Sequence, residues 1–365
     1  MKFTSKKFRI SALAGACAVA IGATSVVAIN AVSATNPDDD DTANEPAQPT
    51  DCTIEALPTP EGAVSSRVID VDSSGSYILG SFDTLNADGY YDSEPIIWHD
   101  GEITDPFDLP ADRSYFDAIN AEGVAIGTVK HPVGDEQITP TANTYHDGES
   151  IDLEDELNSQ GLGINDHHDL VGNIDHHETN VPQAAVFIED GNEILDVPDD
   201  IFSSSASDID NDGNIVGYVD EGDFGYPYRW SADGEGEELT LPDEDDYSLN
   251  DAPRAINNGT TVGSAQDEGE KNFAVIWELD ETDGTVTELE RPGGINAEGW
   301  VTGGHGLDAA VYVDGETFNL PRLDDGSDVA DYAVGISDDG SIIGGTVSYD
   351  ALDGDRGEAV TWTCS

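Results

Sequence analysis

The sequence predicts an all-β fold, a seven-bladed β-propeller whose ring is closed by the N-terminal strand completing the last blade. Three observations lead there: a phrase that recurs seven times, a second hairpin phrase after each copy, and a final unit that stops one strand short. The first phrase is Ile, a polar turn ending in Gly, two apolar residues, then Gly. It reads IDVDSSGSYILG from Ile69, INAEGVAIG from Ile119, INDHHDLVG from Ile164 and IDNDGNIVG from Ile209. It continues as INNGTTVG from Ile256, INAEGWVTG from Ile295 and ISDDGSIIG from Ile336. Short apolar strands flanking Asn, Asp and Gly are the chemistry of a tight hairpin, because these residues tolerate positive φ. The second phrase is an apolar run with an aromatic, a turn, and a strand ending near Leu-Pro, as in PIIWHDGEITDPFDLP and AAVYVDGETFNLP. Two hairpins per unit of roughly 40–50 residues give four strands, the size of a propeller blade.

The last unit ends Val360-Thr361-Trp362-Thr363-Cys364-Ser365, without a following turn or Leu-Pro strand. The segment Cys52-Thr53-Ile54-Glu55-Ala56-Leu57-Pro58 has the missing pattern. Aligning Trp362 with Tyr312 and Leu57 with Leu320 puts Cys364 on the Asp314 position and Cys52 on the Gly315 position. A Cys52–Cys364 disulfide is expected there, in place of a turn.

The chain begins with Lys2, Lys6, Lys7 and Arg9, then an apolar run to Val32-Ser33-Ala34. That is the layout of a secretory signal peptide over 1–34. Residues 35–50 are acidic and Pro-containing and read as a disordered linker. The propeller occupies 51–365. A secreted, extracellular protein is expected, without membrane insertion after signal cleavage. Two alternatives stay open: an uncleaved anchor over Ile10–Ala34, and lipidation at Cys17.

All 77 acids follow residue 34 and only nine cations do, a charge of −68 for that part. Such a surface repels nucleic acid and anionic lipid. Dense carboxylates with two lysines after the signal region suit concentrated salt, where screening removes self-repulsion. A merely acidic secreted protein is the alternative.

The recurring Ile-Asn-x-x-Gly-x-Val/Ile-Val-Gly phrase, in phase over residues 52–364, resembles the HAF-type extracellular repeat family. The resemblance implies a secreted repeat protein with propeller-like architecture and no agreed activity. His168 stands where that phrase has Gly, and the turn after Ile69 is longer.

Two loop sets share one face, and most cations fall in them. Arg67, Arg113, Arg254 and Arg322 follow the outer strands, and Arg67 and Arg254 read as equivalent positions near the channel mouth. With Tyr115, Tyr247 and Tyr332 they form the candidate ligand face, suited to a glycan or a surface protein. Arginines bracing acidic loops and aromatics packing loops are the competing readings. His131, His176 and His177 are candidate zinc ligands. Asp208, Asp210 and Asp212 have the start of a calcium-loop spacing, although Val219 stands at the twelfth position. No other cofactor is indicated. Nucleophile-elbow, zincin and phosphate-loop signatures are absent. The expected function is a monomeric, non-catalytic binding or scaffold module. The alternative is an extracellular polysaccharide hydrolase or lyase using carboxylates near the channel mouth.

Overall fold

Each inner strand ends on Ile or Val followed by Asp, Asn or Ser, and in every blade but the fifth that polar residue closes the next turn with its own side chain; Asn257 of blade 5 instead donates to Ile295 O and Asp338. The computed structural model describes residues 49–365 except 50, 105–106, 108–113, 134–136, 154–157, 177, 189–190, 200, 223–224, 242–246, 250–252, 270, 324–327 and 352–353. The expected signal segment and nearly all of the linker lie outside the described residues. Asn120 Oδ1 accepts from the Glu122 and Val124 amides, at 3.1 and 3.0 Å. Asn165 does the same for His167 and Asp169, Asp210 for Asp212 and Asn214, and Asn296 for Glu298 and Trp300. A side-chain acceptor two residues before the donor is the Asx-turn geometry. The glycine of the turn has φ of 74–86° at Gly75, Gly123, Gly213 and Gly299. His168 takes the same left-handed conformation at φ 63°.

These turns join antiparallel strands into seven sheets arranged as a propeller. Blade 1 runs outward from Ala63–Val71 through Tyr77–Leu85 and Tyr91–His99 to Glu102–Ile103. Blade 2 has inner strand Ser114–Ile119, blade 3 Ser159–Ile164 and blade 4 Ser203–Ile209. In blade 5 the inner edge is split into Tyr247–Leu249 and Ala255–Asn257, both paired with Thr260–Asp267. Blade 6 has Val301–His305, Asp308–Val313 and Glu316–Asn319, with Ile295 bridging to Val301 on the channel side. Blade 7 runs from Tyr332–Ile336 through Ile342–Ala351 and Gly354–Thr363 to Thr53–Ala56. Thr53 pairs with Thr363 and Ala56 with Val360, and Cys52 is disulfide-bonded to Cys364 across 312 residues.

The first unit is in a different phase from the one its sequence suggests. Val71, not Ile69, pairs across the turn with Ile78, as Ile119 does with Ala125 and Ile209 with Ile215. The turn is therefore not lengthened by three residues; it begins at Asp72, whose amide donates to Tyr77 O. The Ile-Asp pair at 69–70 mimics the motif, but a β-bulge between Val68 and Asp70 moves both residues upstream of the turn. Matching bulges lie between Phe116 and Ala118, Gly161 and Gly163, Ala206 and Asp208, and Ala333 and Gly335.

Blades are stitched to one another by recurring polar contacts. Trp98, Trp230, Trp277 and Trp362 are fully buried. Each indole donates to a carbonyl just beyond the outer strand of the preceding blade: Pro58, Asp196, Thr240 and Pro321, at 2.7–2.8 Å. A buried indole N–H needs such a partner, which turns a core residue into a positioned one. Buried Arg229 clamps Glu237 in its own blade and the carbonyls of Gly259, Glu278 and Glu281 in the next. Asn120 and Asn165 each reach past their turn to donate to the following blade, at Asn165 O and Asp210 O.

Asn165→Ala removes a turn cap and a buried inter-blade donor together. The expected loss is about 2–3 kcal/mol, with Asn165→Asp losing less because the cap survives. Denaturant unfolding in concentrated salt measures both. Reducing the disulfide is expected to lower stability by about 2–5 kcal/mol by freeing the unfolded chain.

Candidate functional site at the axial channel

The bulges arrange the inner strands as two stacked rings around the axis. The lower ring is the residue just before each Ile or Val: Asp70, Ala118, Gly163, Asp208, Ala255, Gly294 and Gly335. Five of the seven are Gly or Ala because the strands crowd there. A Cβ on Gly335 would stand 2.7 Å from Val71 N, and one on Gly163 2.7 Å from Asp208 Cα. The two aspartates use the crowding. Asp70 accepts from the Val71 amide at 2.8 Å and from Ile119, in the next blade, at 2.9 Å. Asp208 repeats this with Ile209 and Ile256.

The upper ring is one residue earlier: Ile69, Asp117, Leu162, Ser207 and Val334, which are the bulged residues, with Arg254 and Gly293 at the matching positions of blades 5 and 6. Together the rings line a pocket of about 360 Å³, which opens where the inner strands begin, beside Pro253. Beyond the lower ring the channel narrows to a cavity of about 120 Å³ among Asn120, Asn165, Asp166, Asp210, Asn211, Asn257 and Asp338. A polar belt spans this far end. Asp166 accepts from Ser73, Ala121 and Asn211, joining blades 1 to 4. Asp338 accepts from Asn257 and Ala297, and its amide donates to Ser73 O. Asp210 accepts from the Gly259 amide at 2.7 Å and joins blades 4 and 5.

Burial sets the acidity of these groups. Desolvation pushes Asp70 up to about 8, opposed by its two amide bonds and assisted by the Asp208 charge. Desolvation also raises Asp208 to about 7, against the amides of Ile256 and Ile209. Asp117 rises to about 7 through desolvation, and no hydrogen bond reaches its buried Oδ2. Asp166 goes the other way. Burial raises it, but the bonds from Ala121, Asn211 and Ser73 outweigh burial and hold it below the ordinary value of 3.8.

The residues singled out in the sequence do not form one site. Arg254 lines the axial pocket, in the upper ring. Arg67 stands two residues earlier in its unit than Ile69, the counterpart of Arg254, so the two are not equivalent. Its guanidinium lies on the blade flank with Ser93 at 3.3 Å and Asp83 at 3.8 Å. The misreading came from the Ile69 phase. Arg322 is a brace, donating to Asp331 and to Val329 O at 2.9 Å. Tyr115 accepts from Gln160 and lies under Lys130, while Tyr332 is half-buried in the inner strand of blade 7. Arg113, His177 and the Tyr247 side chain lie outside the described residues. Among the described residues, no three of His, Cys, Asp and Glu gather as a metal-holding group. Asp210 caps its own turn and Asp208 bonds Ile209 and Ile256, so with Asp212 they do not converge as a calcium loop. His131 pairs with Asp152 at 3.1 Å, and His176 accepts from the Glu178 amide.

Asp70, Asp117 and Ser207 were not singled out in the sequence. Their signal is positional: an Asp where the other units place Gly or Ala, visible only after the first unit is set on Val71.

No family model matches the chain, and no curated protein matches it. Solved structures do. A puromycin-hydrolysing peptidase of Mycobacterium tuberculosis is 12% identical with a TM-score of 0.52, over 84% of this chain and 54% of that one. The β-propeller domain of the Trilobed protease from Pyrococcus furiosus is 14% identical with a TM-score of 0.40, over 72% and 98%. TolB from Acinetobacter baumannii is 10% identical with a TM-score of 0.41, over 80% of each. The likeness is of fold alone. The chain spans about half the length of the peptidase.

A carboxyl with a raised native pKa holds its proton longer in the folded chain than in the unfolded one. Stability tied to Asp70 and Asp208 is whole below about pH 4 and is lost as pH rises, until about 8 and about 7 respectively. Between pH 6 and 8 the loss reports Asp70, Asp208 and Asp117 together, the three carboxyls of the pocket raised to about 8, about 7 and about 7. It is expected to be on the order of 1 kcal/mol per pH unit. Asp70→Asn should flatten the slope while lowering stability at pH 5, because an amide cannot accept both N–H groups. Urea unfolding at fixed high salt across that range measures it.

Proposed function

We propose that the chain is a secreted, non-catalytic binding or scaffold module of the HAF-repeat type, which engages a cell-surface glycan or protein through its loop-rich face. The axial pocket sits at the centre of that face. The observation that carries this reading is the asymmetric upper ring. Seven equivalent positions could all be small or apolar, as a purely structural channel requires, yet Asp117, Ser207 and Arg254 stand among Ile, Leu, Val and Gly. A concave site with apolar walls and a few convergent polar groups is the form of a ligand pocket.

One observation favours a second reading, a polysaccharide hydrolase or lyase. Asp117 is raised to about 7, a value suited to general acid catalysis. Glycoside hydrolysis needs a second carboxylate free to act. Asp70 and Asp208 are engaged by two backbone amides each, which leaves one acid and supports binding over turnover.

The test is binding of the purified protein to polysaccharides and isolated cell walls in concentrated salt. Arg254→Glu is expected to weaken saturable binding about tenfold or more, by removing the pocket guanidinium. Arg67→Glu, on the blade flank, is expected to leave it unchanged. Shortened sugar products would establish the enzyme reading instead. A folded protein that binds neither material would remove the glycan reading.

A further inference from the structure

We propose that the axial pocket is a site for an amino sugar, with the protonated amine against Asp117, the hydroxyls against Ser207 and Arg254, and the ring C–H face against Ile69, Leu162 and Val334. This rests on the binding reading and names its ligand class.

The lining selects that chemistry step by step. Three carboxyls, Asp70, Asp117 and Asp208, share the pocket with one guanidinium, Arg254. A negatively charged sugar would add a fourth acid to them, whereas an ammonium restores what desolvation has taken from the carboxylates. Asp70 and Asp208 already accept two backbone bonds each and form the floor. Asp117 lines the cavity, and its Oδ2 is closed off from that space with no hydrogen-bond partner, so a donor in the cavity must meet the carboxyl at its other oxygen. A buried carboxyl without a partner is costly, so a donor brought by the ligand is worth more here than at the surface.

The remaining walls exclude other cations. Among the described residues no aromatic side chain lines the pocket, and quaternary ammonium sites use aromatic faces. No metal-holding group of three forms among the described residues. Arg254 offers donors and no acceptor, and Ser207 offers both, which suits sugar hydroxyls. About 360 Å³ lies at the small end of ligand pockets, roughly 300–1,000 Å³, and suits one ring rather than a chain. The ligand therefore enters as a free monosaccharide or as the last residue of a glycan.

An ammonium beside Asp117 favours its ionised form. The advantage of the native protein over Asp117→Asn should then grow as pH rises through about 7. Asp70, Asp208 and Arg254 face the same space in both proteins, and the titration of the sugar amine itself is common to both.

Isothermal titration of the purified protein in concentrated salt with glucosamine, N-acetylglucosamine and glucose tests this. Glucosamine is expected to bind, with the two sugars lacking a free amine weaker by about tenfold or more, the worth of a charge-assisted hydrogen bond. Asp117→Asn should cost glucosamine about tenfold at pH 8 and much less at pH 5. Its unfolding midpoint should not fall, since it removes an unpartnered acid. Equal binding of all three sugars would overturn the amine assignment and leave a sugar pocket. A loss in Asp117→Asn that is the same at both pH values would also overturn it. Cell-wall binding without any monosaccharide binding would overturn the axial site and leave the loop-rich face as the binding surface.

Discussion

The molecule depends on one side-chain acceptor, the Asn or Asp that follows the inner-strand Ile. Its oxygen takes two amides of its own turn, and in Asn120 and Asn165 its nitrogen reaches the carbonyl of the next blade. The same residue thus ends a strand, shapes a hairpin and fixes the distance to a neighbour. Repeated around the ring, that distance sets the width of the channel. Aspartate cannot donate, so where Asp210 replaces Asn the direction reverses and its carboxylate accepts the Gly259 amide from blade 5. The belt through Asp166 and Asp338 is a second layer of the same bonding, one residue further along.

Channel width then decides what each unit can place on the axis. Where the strands crowd, Gly or Ala is required, and a Cβ on Gly335 or Gly163 would meet backbone atoms. Asp70 and Asp208 occupy the same ring without breaking it because their carboxylates hydrogen-bond to the amides they approach. The consequence is acidity: burial first, then the Asp208 charge beside Asp70 and the Asp210 charge beside Asp208, push the two up to about 8 and about 7. One step up, the bulge releases the crowding, side chains diverge among the units, and a cavity opens. Repetition builds the frame, and departure from repetition builds the pocket.

The scarce cations serve mainly to hold the acidic frame together. Arg229 spans two blades from a buried position, Arg322 ties Asp331 and Asp308, and Lys271 meets Glu290 at 2.9 Å. A buried guanidinium is retained at a desolvation cost that five fixed donors offset. With nine cations for 77 acids after residue 34, most carboxylates cannot have such a partner, and added salt screens their mutual repulsion.

The seven-unit rhythm, the all-β class and the cysteine pair were legible in the sequence, because hairpin turns and apolar strands are local chemistry with a fixed spacing. Trp98, Trp230, Trp277 and Trp362 were legible as core for the same reason. The phase of the first unit was not. Ile69-Asp70 and Val71-Asp72 both satisfy the turn pattern, and a bulge, set by packing against blades 2 and 7, chooses between them. With that phase hidden, Arg67 passed for the partner of Arg254, and Asp70 could not be matched to Asp208. Asp117 carries no local motif at all; it matters because six other chain segments, remote in sequence, surround it. Strand identity and turn chemistry reside in neighbouring residues, whereas burial, pKa and a shared cavity exist only once the ring has closed.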